Sequence, residues 1–432
     1  MNDKKKCSRD AISWLPVEIL GKILSLLPTK QAVSTSVLSK NWRYVFRLVD
    51  SLDFDDGNDK QGWYVFPESF KSFVDRTLAL QGDFPIKKFT IKCHVGKYNE
   101  SQKACVGRWI RNVIDRGVSE MELTFKGPGD YVLPHQLLAS KTLVKLSLGT
   151  HIYLGKLPSF VSLPSLKFLF LDTIFSEHEA FGEVLLAGCP VLEELSVLHG
   201  IIPIPDTISS RTVKRLLVDY QCANALSKRH LSFNLPNLVY LDYSDFALCK
   251  YPQVNLESLR EAKLDLHPTD FWRPNLMNLI MGIENVEILH LSPVAVDVIY
   301  LCCKDGLFLP MFNKLVNLSF GSENKRGWEL LVDLFKLSPK LENLTIKDLN
   351  GYTCDISMPL NQVKVLHVLG YRATSKELKH LKRFLREIVC IEVVQVDILE
   401  DDDGKVLQAT NDLLMLPGVS VSSKCNVKVT RC

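Results

Sequence analysis

Thirteen times in order, an apolar residue is followed at +3 and +5 by two more. The sets start at Ile86, Val118, Leu143, Leu166, Leu192, Val213, Leu238, Leu259, Val286, Leu315, Leu341, Val363 and Ile391. The +3 and +5 members, such as Phe89 and Ile91 or Met121 and Leu123, fall on one face of an extended chain, because side chains alternate along a strand. Successive starts lie 21 to 32 residues apart, enough for one strand and a return segment. A single such unit cannot bury its apolar face alone, so neighbours must stack. The pattern leaves the chain little choice except a repeat array from about residue 86 to 396.

That spacing is the leucine-rich-repeat period, and the predicted fold class is α/β: a solenoid, or horseshoe, of parallel strands. One element of the usual repeat is missing. The place three residues after the last strand apolar position, where Asn or Cys is expected, holds His151, Ile174 and Gly200 in three successive units. Without an asparagine ladder, the return segments are predicted to be irregular.

Ahead of the array lies a short, very apolar stretch. Pro16 suits a first helical turn, where its missing N–H would be unpaired anyway. Ile19, Leu20, Ile23, Leu24 and Leu27 then form one broad helical face. Pro28 ends that helix, Thr29 is placed to cap a second and Ser39 a third, which carries Trp42. Gly21 inside the first helix costs about 1 kcal/mol relative to alanine. Such a segment is too small to enclose its own core, so it reads as a docking module completed by a partner. Each large apolar side chain buried there is worth roughly 1.5–3 kcal/mol. The competing reading is that these helices only cap the array.

Composition excludes several other classes. Lys plus Arg total 52 against 49 Asp plus Glu, a net charge of +3 over 432 residues. That balance predicts no nucleic-acid partner and no membrane surface, and no apolar run reaches the roughly 18 residues of a membrane span. Lys4-Lys5-Lys6 is not followed by a signal-peptide apolar region, so the expected location is nucleus or cytoplasm, with the three sequons at Asn99, Asn317 and Asn343 unglycosylated. Twelve cysteines lack metal-site spacing and disulfide-scaffold density. They are expected to be reduced and mostly buried, with no metal and no cofactor. No phosphate loop or nucleophile elbow is present, and nothing marks a reactive thiol. The expectation is a non-catalytic protein.

At these residues the chain resembles plant F-box proteins of the leucine-rich-repeat and FBD type. The F-box likeness rests on Leu15-Pro16, Ile19-Leu20, the run from Ile23 to Lys30, Val37-Leu38-Ser39-Lys40, Trp42-Arg43 and Leu52-Asp53-Phe54-Asp55-Asp56. The repeat likeness rests on openings such as Ser338-Pro339-Lys340-Leu341-Glu342-Asn343-Leu344, and the FBD likeness on Glu377-Leu378, Phe384-Leu385, Ile391-Glu392-Val393-Val394 and the run from Ser422 to Val429. Val17 and Asn41 depart from the F-box pattern, which usually has an acidic residue after Leu-Pro and a basic one before the tryptophan. Adaptor binding is expected to survive both departures, and whether they weaken it is left open by the sequence. The implied domains are a three-helix F-box at 8–55, a linker at 56–83, leucine-rich repeats at 84–355 and an FBD-like cap at 356–432. The implied role is substrate receptor of an SCF-type ubiquitin ligase, held by a Skp-type adaptor and through it a cullin. The adaptor-binding residues would be Leu15, Pro16, Ile19, Leu20, Ile23, Leu24, Leu27, Val37, Leu38 and Trp42. The alternative role is a repeat scaffold or inhibitor acting without a ligase.

In each unit the +2, +4 and +6 residues are predicted to line the concave side. Most are polar, as at Lys88, Thr90, Glu120, Glu122 and Lys145. Units four to seven instead offer Phe168, Phe170, Leu198, Leu217 and Tyr240, and aromatics in a polar rim mark a protein-binding hot spot. An unknown protein cargo is therefore expected there, unless a loop covers Phe168 and Phe170. Val365, Leu369 and Val393 make the same side apolar near the end, which predicts that the C-terminal segment folds over it.

Overall fold

The computed structural model describes residues 15–57, 65–96, 99–126, 131–153, 160–175, 181–198, 207–220, 230–247, 250–268, 274–322, 324–347, 349, 357–400, 402–418, 420, 422 and 424–431. Residues 8–14 of the expected F-box, Lys4-Lys5-Lys6 and Gly200 lie outside them, as do the side chains of His151 and Ile174. The chain divides into two compact units, Met1–Ile204 and Pro205–Cys432.

The first unit opens with α1 (Val17–Ser25), α2 (Thr29–Thr35) and α3 (Lys40–Arg47). A ladder of parallel strands follows: β1 (Ser51–Asp55), β2 (Lys88–His94), β3 (Glu120–Lys126), β5 (Lys145–Tyr153), β6 (Phe168–Phe175) and β7 (Glu194–Leu198), with the two-residue β4 (Tyr131–Val132) beside β5. Between them run α4 (Glu68–Gln81), α5 (Glu100–Asp115), a short 3₁₀ turn at His135–Ala139 and α6 (Phe181–Ala187). The stretch 56–83, read from sequence as a linker, thus contains α4. Its Phe70, Val74 and Leu78 are buried, and Phe70 packs with Phe66 and Trp109 of α5.

The second unit holds the parallel ladder β9 (Arg215–Tyr220), β11 (Tyr240–Phe246), β13 (Glu261–His267), β14 (Ile288–Leu291), β15 (Asn317–Phe320), β16 (Asn343–Lys347), β17 (Val365–Tyr371), β18 (Val393–Ile398) and β19 (Asn426–Arg431). Its return side begins as a small parallel sheet of β8 (Thr207–Ser209), β10 (Ser232–Asn234) and β12 (Val254–Asn255). It continues as α7 (Met277–Gly282), α8 (Pro293–Lys304), α9 (Lys325–Leu337), α10 (Ser375–Glu387) and α11 (Asp403–Leu414).

All thirteen sequence repeats are strands of these ladders, with their +3 and +5 residues inward. Register aligns them in columns: Phe89, Met121, Leu146, Leu169 and Leu195 in the first unit, and Leu216, Leu241, Ala262, Leu289, Leu318, Leu344, Leu366 and Val394 in the second. Every one of these side chains is buried.

At the strand entries successive rungs are joined through the backbone. One carbonyl of each rung accepts two successive N–H groups of the next. The carbonyl of Asp50 takes the N–H of Lys87 and Lys88, that of Lys87 takes Ser119 and Glu120, and that of Ser119 takes Val144 and Lys145. The pattern continues through Val144 and Lys167, and in the second unit from Lys214 to Lys364. Buried backbone groups must find partners, and this device needs no particular side chain.

Two rungs were not among the thirteen. β1 pairs in register with β2, placing Leu52 beside Phe89 and Phe54 beside Ile91. At the other end β19 pairs with β18 over six residues. The C-terminal segment therefore extends the ladder by its edge rather than folding over the face, and Val365, Leu369 and Val393 stay only half-buried. Its helix α10 starts from a capping box in which Thr374 and Glu377 exchange bonds.

Candidate protein-docking surfaces

The three N-terminal helices are fastened to the ladder from inside. Ser25 Oγ accepts the N–H of Asp50 at 3.0 Å, and Thr29 Oγ1 accepts that of Asp53 at 2.7 Å. Thr29 is the first residue of α2, after Pro28, so its hydroxyl braces β1 instead of capping the helix as expected. Ser39 does cap α3, accepting from the N–H of Trp42 at 3.3 Å. Pro16 sits just before α1. Below, Arg47 lies over the ring of Phe84 at 4.9 Å, and Val45, Phe46 and Val49 are fully buried.

The apolar face of α1 splits in two. At about 100° per residue, Leu26, Ile19, Ile23 and Leu27 form one contiguous stripe, and Leu20 and Leu24 the next. The second stripe is sealed, with both leucines 3 % exposed. Leu20 and Leu24, expected to touch an adaptor, are instead core residues of this chain. The first stripe is open: Ile19 and Ile23 are exposed and Leu26 is 85 % exposed. Leu26 was missed because five apolar positions on one helix do not say which half faces inward. Its +7 spacing from Ile19 was the available signal. Leu15 and Pro16 are exposed too, and the turn between α2 and α3 adds Val37 at 83 % and Leu38 at 70 %. Trp42 is half-buried. Eight large apolar groups are left in water on this small module, an exposed patch of the kind that marks interaction sites, while the inner stripe packs within the chain.

The strand face carries the other expected site. In the first unit Phe168 stays exposed, and Phe170 and Leu198 are half-buried, so no segment among the described residues seals the phenylalanines. Phe170 edges a cavity of about 340 Å³ that is also lined by Lys88, Glu120, Glu122, Lys145 and Ser147. In the second unit Leu217 and Tyr240 are half-buried. Tyr240, expected as an open aromatic anchor, is already covered by cations of this chain. Arg215 stands 4.1 Å and Lys263 5.2 Å from the ring centroid, and its hydroxyl donates to Asp242 at 3.1 Å.

Among the described cysteines, Cys93, Cys105, Cys189 and Cys302 are buried. Burial pushes the Cys93 thiol well up, that of Cys189 to about 12 and those of Cys302 and Cys303 to about 11. A nucleophile needs the opposite shift. Among the described residues no group of three or more His, Cys, Asp and Glu is placed to hold a metal, and no helix is long and apolar enough to cross a membrane.

Comparison with known proteins adds family-level findings. Residues 12–54 match the F-box domain, and residues 106–242 match a family described as FBD-associated F-box protein At5g56370, LRR repeats. F-box/LRR-repeat protein At3g60040 of Arabidopsis thaliana is 61 % identical, with 98 % of each chain covered. F-box/LRR-repeat protein At1g06630 of the same plant is 60 % identical over 89 % of this chain and 96 % of its own. Putative F-box/LRR-repeat protein At3g42770 is 41 % identical over 97 % of this chain and 80 % of its own.

Proposed function

Because the chain belongs to the F-box/LRR-repeat family, we propose that it is the substrate-recognition subunit of an SCF-type ubiquitin ligase. The observation that carries the reading is the open stripe of Ile19, Ile23 and Leu26 with Val37 and Leu38, left in water while the neighbouring stripe is used internally. A Skp-type adaptor covers Leu15, Pro16, Ile19, Ile23, Leu26, Leu27, Val37, Leu38 and the edge of Trp42, and links the chain to a cullin. Cargo protein binds the open strand face of the first unit, with Phe168, Phe170 and Leu198 as apolar contacts. The chain itself performs no chemistry. It contributes proximity, converting a bimolecular ubiquitin transfer into an effectively intramolecular one.

The test is co-purification with a Skp-type adaptor. Ile23→Asp with Leu26→Asp is expected to abolish capture while leaving the melting curve intact, because both side chains already face water. Capture undiminished by that pair, or by Val37→Lys with Leu38→Lys, overturns the reading and favours a repeat scaffold that works without a ligase.

A further inference from the structure

Four residues of the first unit stand in one row across its strands. Register places Lys88 beside Glu120, Glu120 beside Lys145 and Lys145 beside Phe168. All four are exposed. In the neighbouring positions charge is consumed internally, since Lys92 pairs with Glu122 at 3.4 Å. The side chains of Lys88, Glu120 and Lys145 make no hydrogen bond or ion pair within the described residues. The row thus presents plus, minus, plus and aromatic, at steps of about 4.8 Å, the distance between neighbouring strands.

That spacing selects a partner. Measured from Lys88, the four positions lie at about 0, 4.8, 9.6 and 14.4 Å. An α-helix rising 1.5 Å per residue places i, i+3, i+7 and i+10 on one face at about 0, 4.5, 10.5 and 15 Å. An extended peptide laid the same way shows alternate residues roughly every 6.7 Å, and by its third contact it is nearly a rung out of step. Resting on the reading that cargo docks on this face, we propose that the first unit receives an amphipathic cargo helix aligned across the strands, acidic at i, basic at i+3, acidic at i+7 and apolar at i+10. The acids meet Lys88 and Lys145, the base meets Glu120, and the apolar side chain lies on Phe168 beside Phe170. The alternation also gives specificity, because a helix of reversed charge order sets like charges together at three positions.

The test uses the full chain with its adaptor and three synthetic helices of one length, followed by fluorescence anisotropy. One carries glutamate, lysine, glutamate and leucine at the four positions. The second carries lysine, glutamate, lysine and leucine. The third is the first with a central proline that breaks the helix. The first helix is expected to bind at least about tenfold tighter than the other two, a difference of about 1.4 kcal/mol. The order of the first two inverts on the triple variant Lys88→Glu, Glu120→Lys, Lys145→Glu, whose side chains all face water. Equal binding of the three probes, or none of the first at about 1 mM, overturns the helix. Cargo capture by the triple variant then separates the two claims. A changed cargo set with indifferent probes overturns only the helix, and an unchanged set overturns cargo docking at this row as well.

Discussion

Gln81, fully buried at the end of α4, donates from Nε2 to the carbonyl oxygen of Val49 at 2.6 Å, and its Oε1 accepts from Arg116 Nη1 at 2.8 Å. One amide thereby ties the end of the helical module, the first return helix and the next one together. Gln81→Leu keeps the volume but strands a backbone carbonyl and a guanidinium N–H. The expected loss is about 1–3 kcal/mol, read as a lower melting temperature with faster amide exchange across α3 and β1. Unchanged exchange there would show that the amide is not a fastening.

Gly21 sets two effects against each other. Alanine at this position of α1 gains about 1 kcal/mol of helix propensity. Its Cβ, however, would stand 2.7 Å from Leu48 Cβ and 3.2 Å from Leu48 O, closer than side chains pack. Crowding of that kind costs about 1–3 kcal/mol, and Leu48 is held by the turn that closes α3. Gly21→Ala is therefore expected to lower the melting temperature and tilt the Ile19–Ile23–Leu26 stripe, weakening adaptor capture. A melting temperature that rises would mean propensity wins and the α1–α3 contact yields.

A third prediction separates the two stripes of α1. Leu24→Ala empties a sealed site and is expected to cost about 2–5 kcal/mol of stability. Ile23→Ala removes an exposed group and is expected to leave stability within about 0.5 kcal/mol while reducing adaptor affinity. Denaturant melts beside adaptor titration check both. Equal stability losses would mean the stripes are not divided as described.

These cases also mark how much was legible in the sequence. Period-2 apolar spacing survives any change of loop, so all thirteen interior rungs could be read. Val49, Leu52 and Phe54 obey the same +3 and +5 rule and are fully buried, but they lie inside the F-box match, whose own pattern hides a rung. β19 was hidden for a physical reason. As an edge strand it has one neighbour, Lys424 occupies its leading position, and only Val427 is buried. The double acceptance at each strand entry involves backbone alone and leaves no mark on composition. At the candidate sites the residue types were readable, but which half of α1 faces inward and which cations cover Tyr240 depend on neighbours 20 or more residues away in the chain.

Tyr240 between Arg215 and Lys263 gives a fourth prediction. A double-mutant cycle of Tyr240→Leu with Arg215→Met is expected to show a coupling of about 0.5–1 kcal/mol, the size of an exposed cation–π contact. The guanidinium already on the ring shields it from a partner, so Tyr240→Leu is also expected to weaken cargo binding less than Phe168→Ala. Zero coupling would leave the ring free to act as an anchor.

Stability should fall on mild acidification, because burial holds two histidines of the second unit below their ordinary range. His290 on β14 is pulled down mainly by desolvation, against the opposing pull of Glu261 3.4 Å away. His380 on α10 is 6 % exposed and shifted down by the same cause. In the unfolded chain both titrate near about 6.5, so the fold binds fewer protons than the unfolded state between that value and the lower folded one. Their stabilising contribution is complete above about pH 6.5 and drains away as pH falls through the folded values. The melting temperature is therefore expected to drop between about pH 7 and pH 5, a window in which most carboxylates keep their charge. His290→Gln with His380→Gln should flatten that slope even if it lowers stability at neutral pH. An equally steep slope in the double variant would assign the acid sensitivity to other groups.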